Sequence, residues 1–322
     1  MVCFTNNNIA AVNLWLTMRK IKNWTIATFI LCFLVIIAGG VVRTTQSGMG
    51  CPDWPKCFGK WIPPTNASEL PANFEKYLRK QDIDHTFNAF HTWIEYINRL
   101  LGVLLGLFAI IQVTLLFFKR KEFAKPYKLA IAFLTTVILT GLFGAIVVKL
   151  NLAHVSISVH LLFAILLVQI QVAVILSLQQ KLFFIVVDKK VKYMLWLFLL
   201  FIFFQSVLGT TVRMYVDDVS KMLQYQQRES WLANSPIAFL IHRSFSWVIL
   251  LSVLFIAWYC RNIPDIKNKI FTLAAIIVLS MITGIVLFYA NMPAVVQPIH
   301  LLLASLAITQ TVAVLLQTKQ SA

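Results

Sequence analysis

The chain has 322 residues, of which 59% are hydrophobic and 12% charged, and it carries a formal net charge of +16. An ordinary soluble domain has roughly a quarter of its residues charged, so this composition excludes a soluble globular enzyme and makes the bilayer the main solvent. The charge does not mark a nucleic-acid partner either, because Lys and Arg fall between apolar runs instead of gathering on one polar face.

Eight apolar runs are long enough, or nearly so, to cross roughly 30 Å of hydrocarbon at about 1.5 Å per residue. They lie near 24–42, 87–118, 129–149, 156–178, 193–212, 236–258, 270–290 and 298–317. The first follows a basic stretch, as a secretory signal does, but it is too long for an h-region and has no small-residue cleavage site before Arg43, so it reads as a retained helix. A long polar loop follows, about 43–86, with Pro63-Pro64 and the pair Cys51 and Cys57. It is expected to form an ordered or lid-like structure over the first bundle. Its Asn66-Ala67-Ser68 sequon has meaning only in a eukaryotic secretory context. The second run exceeds one span, so its first turns project or the helix tilts. The loop at about 213–235 is the shorter counterpart of the first outer loop.

Sixteen basic residues, in clusters at 19–22, 119–128, 181–192 and 261–269 and at Lys319, lie on one side of the membrane. The other side holds ten, among them Arg43, Arg79, Lys80 and Arg213, diluted by eight carboxylates. The positive-inside rule makes both termini cytoplasmic and puts Cys51 and Cys57 on the outer face, in a bacterial inner (cell) membrane.

The two halves of the chain repeat. An offset of 140 superposes His160 on His300, Gly144 on Gly284, Asn151 on Asn291 and Ala164 on Ala304; an offset of 144 pairs Asn98-Arg99 with His242-Arg243, and one of 170 pairs Val42-Arg43 with Val212-Arg213. Any one match between apolar helices is weak, and the common order across four helices carries the inference. Four spans per repeat return the chain to its starting side, so the repeats are parallel, related by an axis along the membrane normal. The expected fold is an all-α integral membrane protein with eight transmembrane helices in two pseudo-symmetric four-helix bundles, residues 1–180 and 181–322. Gly102-x-x-x-Gly106 is a candidate close-contact point.

His160, His242 and His300 each sit a few residues inside the outer end of a helix running inward, so they share a depth. Ligating side chains there are expensive in lipid and must face the bundle interior. Imidazoles from facing helices can hold a heme iron from both sides, and His242 with His300 form the expected pair; a single intramembrane His could equally serve as an interhelical hydrogen-bond partner. Arg243 and Arg99 are candidates for neutralising heme propionates, with snorkelling to the interface as the plain alternative. In the first bundle Asn98, a poor iron ligand, takes the place that His242 holds in the second. Glu95 and His91 share its helix face, with His91 roughly 10 Å further out. An intramembrane carboxyl is a functional candidate, as proton donor, base or substrate contact, and its structural reading is a partner for Arg99 one turn away.

Cys51 and Cys57 lie in a compartment that permits a disulfide. They do not read as a zinc site, since only two Cys are present and His85 is far along the loop. Cys3, Cys32 and Cys260 are scattered and read as inert or cytoplasmic thiols. No phosphate-binding loop, dinucleotide fingerprint or Ser-His-Asp arrangement is present.

Taken together, these residues resemble the heme A synthase family. The features that carry the resemblance are the two four-helix halves, the Cys51 and Cys57 pair, the Glu95 motif of the second helix, His160 and His300 in helices four and eight, and His242-Arg243 in helix six. The resemblance implies a heme b between His242 and His300, and heme O as substrate in the first half beside Glu95 and His160. One porphyrin methyl group would then be oxidised to a formyl group by successive hydroxylations, giving heme A for cytochrome oxidase. It also implies membrane lipid around the helices, an electron donor such as quinol, and heme O synthase and cytochrome oxidase assembly proteins as neighbours. The chain departs from the family at Asn98, where the motif has histidine, so His160 alone, or His160 with His91, is left to bind the substrate iron. Two rival readings use the same residues: a b-type heme electron carrier linked to quinol, and a proton-coupled transporter built on repeats with Glu95 as its coupling site.

Overall fold

The computed structural model describes residues 6–78, 87–179 and 185–320; Cys3, Arg79, Lys80, Lys181 and His85 lie outside the described residues. Among the described residues, eight helices are long and apolar enough to cross a membrane. We label them α1 (Asn6–Thr44), α2 (Ala89–Phe117), α3 (Ala124–Lys149), α4 (His154–Ser177), α5 (Lys189–Met222), α6 (Ile237–Tyr259), α7 (Pro264–Tyr289) and α8 (Val296–Gln317). Their starts carry the expected signals. The Asn88 side chain accepts N–H bonds from Phe90 and His91 at the head of α2, Asp188 accepts from Lys190 on α5, and Pro264 opens α7, where its missing N–H costs nothing. Leu100, Val103, Leu107 and Ile110 leave one side of α2 exposed, an arrangement that water would penalise and lipid tails accept.

Each half closes into a ring. α1 packs on α2, α2 on α3, α3 on α4 and α4 back on α1, and α5 to α8 repeat the circuit. The rings meet through α8, which lies against α1 and α4. This ring order puts α2 diagonally across from α4, and α6 across from α8. Two interior amides pair with each other: Gln112 and Gln171 exchange bonds of 2.9 and 3.2 Å, and Gln171 also donates to the Thr25 carbonyl. Such bonds join helices where apolar packing alone has no advantage over lipid.

Two features differ from the sequence reading. Helix α5 runs on to Met222, where the charges after position 212 suggest a loop. Those charges are paired along the helix: Arg213 meets Asp217 one turn on at 2.8 Å, and Arg43 of α1 donates to the same carboxylate through Nε at 2.8 Å. A short parallel pair of strands, Ile185–Val187 with Thr318–Gln320, also ties the segment before α5 to the end of α8.

The described part of the long loop between α1 and α2, residues 45–78, forms a cap. Cys51 and Cys57 form a disulfide, and Asp53 accepts the backbone N–H groups of Phe58 at 2.6 Å and Gly59 at 2.9 Å. Phe58, fully buried, packs with Tyr77 and Phe87, and Tyr96 of α2 donates its hydroxyl to the Trp61 carbonyl at 2.6 Å. The cap sits directly on the first turns of α2: Thr92 Oγ1 donates to the Gly50 carbonyl at 2.9 Å.

Candidate functional site

A cavity of about 1070 Å³, slightly above the ~300–1,000 Å³ usual for ligand pockets, is lined mostly by the first bundle and reaches Arg213, Asp217 and Gln297 of the second. Glu95, Asn98, Arg99 and His160 line it, whereas His91 is not among its lining residues. Part of its wall is glycine: a Cβ on Gly39, Gly102 or Gly141 would meet nothing within 4 Å. The glycines therefore leave open space along α1, α2 and α3, and Glu95, Asn98 and Arg99 add polar groups to the cavity wall.

Glu95 is 5% exposed and forms part of this wall. Its carboxylate accepts the Cys51 backbone N–H at 2.8 Å and pairs with Arg99 at 2.5 Å. Arg99 in turn donates to the carbonyls of Cys51, Asp53 and Lys56. A buried carboxylate needs such partners, and the buried carbonyls of the disulfide loop need donors. Glu95 and Arg99 thus form the seat on which the disulfide loop rests. The guanidinium of Arg99 is committed to that loop, while that of Arg243 lies about 6.0 Å from the rings of Phe239 and Phe288.

Each intramembrane histidine is backed by a glycine from the neighbouring helix. The nearest atom to a Cβ on Gly144 would be His160 Cε1 at 3.4 Å; on Gly209 it would be His242 Cε1 at 3.2 Å, and on Gly284 His300 Cε1 at 3.4 Å. The imidazoles lie where side chains of those neighbours would otherwise be. Nδ1 of His160 and of His242 is buried with no hydrogen-bond partner, and Nδ1 of His300 meets Thr283 Oγ1 at 2.8 Å. Gln205 adds a bond of 2.9 Å to the His242 carbonyl. His242 and His300 stand on diagonal helices of one ring, and His160 and Asn98 on diagonal helices of the other.

Sequence reasoning missed the seam between the rings. Arg43 and Arg213 share Asp217, Arg213 also bonds Gln297, and His154 meets Asp218 at 3.0 Å. The pairing of Val42-Arg43 with Val212-Arg213 was the visible trace of it, and Gly144 with Gly284 was the trace of the glycine backing.

The sequence profile of the cytochrome oxidase assembly protein family matches residues 22–312. The chain belongs to this family. Curated relatives named heme A synthase are similar to it: one from Pelagibacter ubique is 26% identical over 85% of this chain and 91% of its own length. Relatives of the same name from Shewanella oneidensis and Rhizorhabdus wittichii are 30% and 27% identical over 42% and 50% of this chain. The matched stretches span only 38% and 50% of those two proteins. The family match covers both rings and includes all three glycine-backed histidines, the disulfide cap and the seam.

Proposed function

We propose that the chain is a heme A synthase, a membrane oxidoreductase that converts the methyl group of heme O to the formyl group of heme A. Two hydroxylations of the methyl carbon give a geminal diol, and loss of water leaves the aldehyde. The observation that carries this reading is the His242 and His300 pair, on diagonal helices with glycine behind each ring, beside a second ring of helices that holds a large cavity with one such histidine.

In this reading residues 181–322 hold a heme b and residues 1–180 hold the substrate, the division falling at residues outside the described set. The donor set suits an iron porphyrin. Thr283 engages Nδ1 of His300, so Nε2 is the nitrogen left for a metal, and the glycines clear room for the rings. When bound, the heme b supplies one-electron redox chemistry. The protein's own contribution in the first ring is positional: the glycine-walled space orients a flat substrate, His160 approaches from α4, and Glu95 lies at the outer end. Glu95 orients or deprotonates the hydroxylated substrate, its carboxyl group held in place by Arg99 and the Cys51 N–H. The cap covers that end.

The positive-inside count supports cytoplasmic termini and an outer-face disulfide in a bacterial inner membrane. A quinol is the electron donor that this location favours, and heme O synthase and cytochrome oxidase assembly proteins are the expected neighbours. The cavity with Glu95 on its wall favours a synthase over a monoheme or diheme b-type electron carrier, which needs no substrate pocket, and the histidines favour it over a proton-coupled transporter, which needs no heme ligands. The absorption spectrum of the purified protein, with the masses of its extracted porphyrins, tests all three. Heme O or its hydroxylated products are expected; heme B alone supports the carrier, and no porphyrin at all the transporter.

A further inference from the structure

Four glycines stand at equivalent places in the two rings, and three of them have an imidazole against them. Gly144, Gly209 and Gly284 back His160, His242 and His300. The fourth is Gly39, which corresponds to Gly209 at the offset of 170, and a Cβ there would meet nothing within 4 Å. The residue that corresponds to His242 is Asn98, whose carboxamide is shorter than an imidazole. Its Oδ1 is buried and has no hydrogen-bond partner. Gly39, Asn98 and His160 all line the same cavity, which also reaches the outer-face residues Trp54 and Trp61. The cavity thus has open space at Gly39 where its counterpart Gly209 has an imidazole, and an unanswered acceptor on the same wall at the position of His242.

We infer that the space between Gly39 and Asn98 is a binding site for a small neutral nitrogen heterocycle taken from solution, with imidazole as its simplest member. The heterocycle's N–H donates to Asn98 Oδ1, answering an acceptor whose burial is otherwise costly. Its ring takes the open space at Gly39, and its second nitrogen is left for a metal. Neutrality follows from the setting, since a charged ligand would meet the full penalty of the membrane interior. A purely apolar ligand would fill the space and leave the acceptor unpaired. The inference rests on the proposal that the first ring holds an iron porphyrin by His160; the heterocycle is then that iron's second axial ligand.

The test uses the full chain in detergent, loaded with hemin, with optical and paramagnetic-resonance spectra recorded as imidazole is added. A high-spin component that His160→Ala abolishes is expected to become low-spin as the site fills. Gly39→Leu should raise the half-saturating imidazole concentration by roughly tenfold or more. If that variant does not assemble, Gly39→Val makes the same comparison with a smaller side chain. Asn98→Ala should weaken imidazole but leave the binding of N-methylimidazole, which has no N–H, unchanged. Asn98→His should give the low-spin species with nothing added. A His160-dependent high-spin signal that imidazole leaves untouched, or that converts equally well in the Gly39 variants, overturns the inference and leaves the substrate-half reading standing. Absence of any His160-dependent signal overturns both.

Discussion

Gln169 on α4 donates to Thr309 on α8 at 3.2 Å, and the two residues are 140 positions apart, the same offset that relates His160 to His300. Equivalent residues of two repeats touch only where the axis relating them passes. A second contact of the same kind lies at the outer end of the seam, where Arg213 Nη2 approaches the carbonyl of Arg43, its equivalent at the offset of 170, at 3.4 Å. Both contacts fit the proposal of two four-span repeats related by an axis along the membrane normal. Asp217 breaks the symmetry: its counterpart is Ser47, so one carboxylate serves both arginines.

Removing that carboxylate leaves Arg43 and Arg213 facing each other without a shared partner. Asp217→Ala should cost roughly 1.5–3 kcal/mol of stability, the range for hydrogen bonds to charged groups, and Asp217→Asn less. The thermal midpoint of the detergent-solubilised protein measures this. A midpoint unchanged in both variants would mean that water replaces the carboxylate at the seam.

The hydrogen bond between Thr283 Oγ1 and His300 Nδ1 holds the His300 ring in one orientation. Thr283→Val keeps the side-chain shape and removes the hydroxyl, so heme b affinity should fall by about 10–100-fold, the usual effect of losing such a partner. His242→Ala and His300→Ala should each abolish the low-spin signal. Heme titration of the apoprotein reads the first effect and absorption spectroscopy the second; a wild-type spectrum in both alanine variants would refute the ligand assignment.

Glu95 joins the cap to the cavity, so its variants should separate two roles. Glu95→Gln retains an acceptor for the Cys51 N–H and should keep the disulfide loop seated, while Glu95→Ala releases it. Reduction of Cys51–Cys57 by a soluble thiol should be faster in Glu95→Ala than in Glu95→Gln, and heme O conversion should stall in both with heme b retained. Wild-type turnover in Glu95→Ala would reduce Glu95 to a structural partner of Arg99.

Gly50 is where the loop backbone touches α2. An added Cβ would collide with the His91 carbonyl and lie 2.7 Å from the Thr92 nitrogen, both backbone atoms with little freedom to move. Gly50→Ala should therefore lift the cap at a cost of about 1–3 kcal/mol, the usual scale for overpacking. Proteolysis within residues 43–78 should become faster than in the wild type, and equal cleavage rates would show that the loop had shifted without loss.

The eight spans could be read from the chain alone, and the repeat and the shared depth of His160, His242 and His300 are proposals drawn from it. Each rests on local pattern: apolar length against bilayer thickness, charge between spans, and motif order at a constant offset. The disulfide was legible for a similar reason, since Cys51 and Cys57 share one loop on one side of the membrane. The extension of α5 to Met222 was not, because Arg213 and Asp217 look like loop residues until Arg43, 174 positions from Asp217, is brought beside them.

The same limit applies at the site. Sequence spacing alone put Arg99 within reach of Glu95, one turn along a helix. Only the tertiary structure showed that both belong to the seat of the disulfide loop, through bonds that join α2 to residues 44 to 48 positions earlier. It also paired each histidine with a glycine on the next helix and left Gly39 without one. Hydrophobic periodicity assigns a residue to the membrane and to a depth, because lipid responds to composition averaged over a helix. It cannot assign a partner, because partners are set by which helix faces pack, and that is decided by the shapes of side chains distant in the chain.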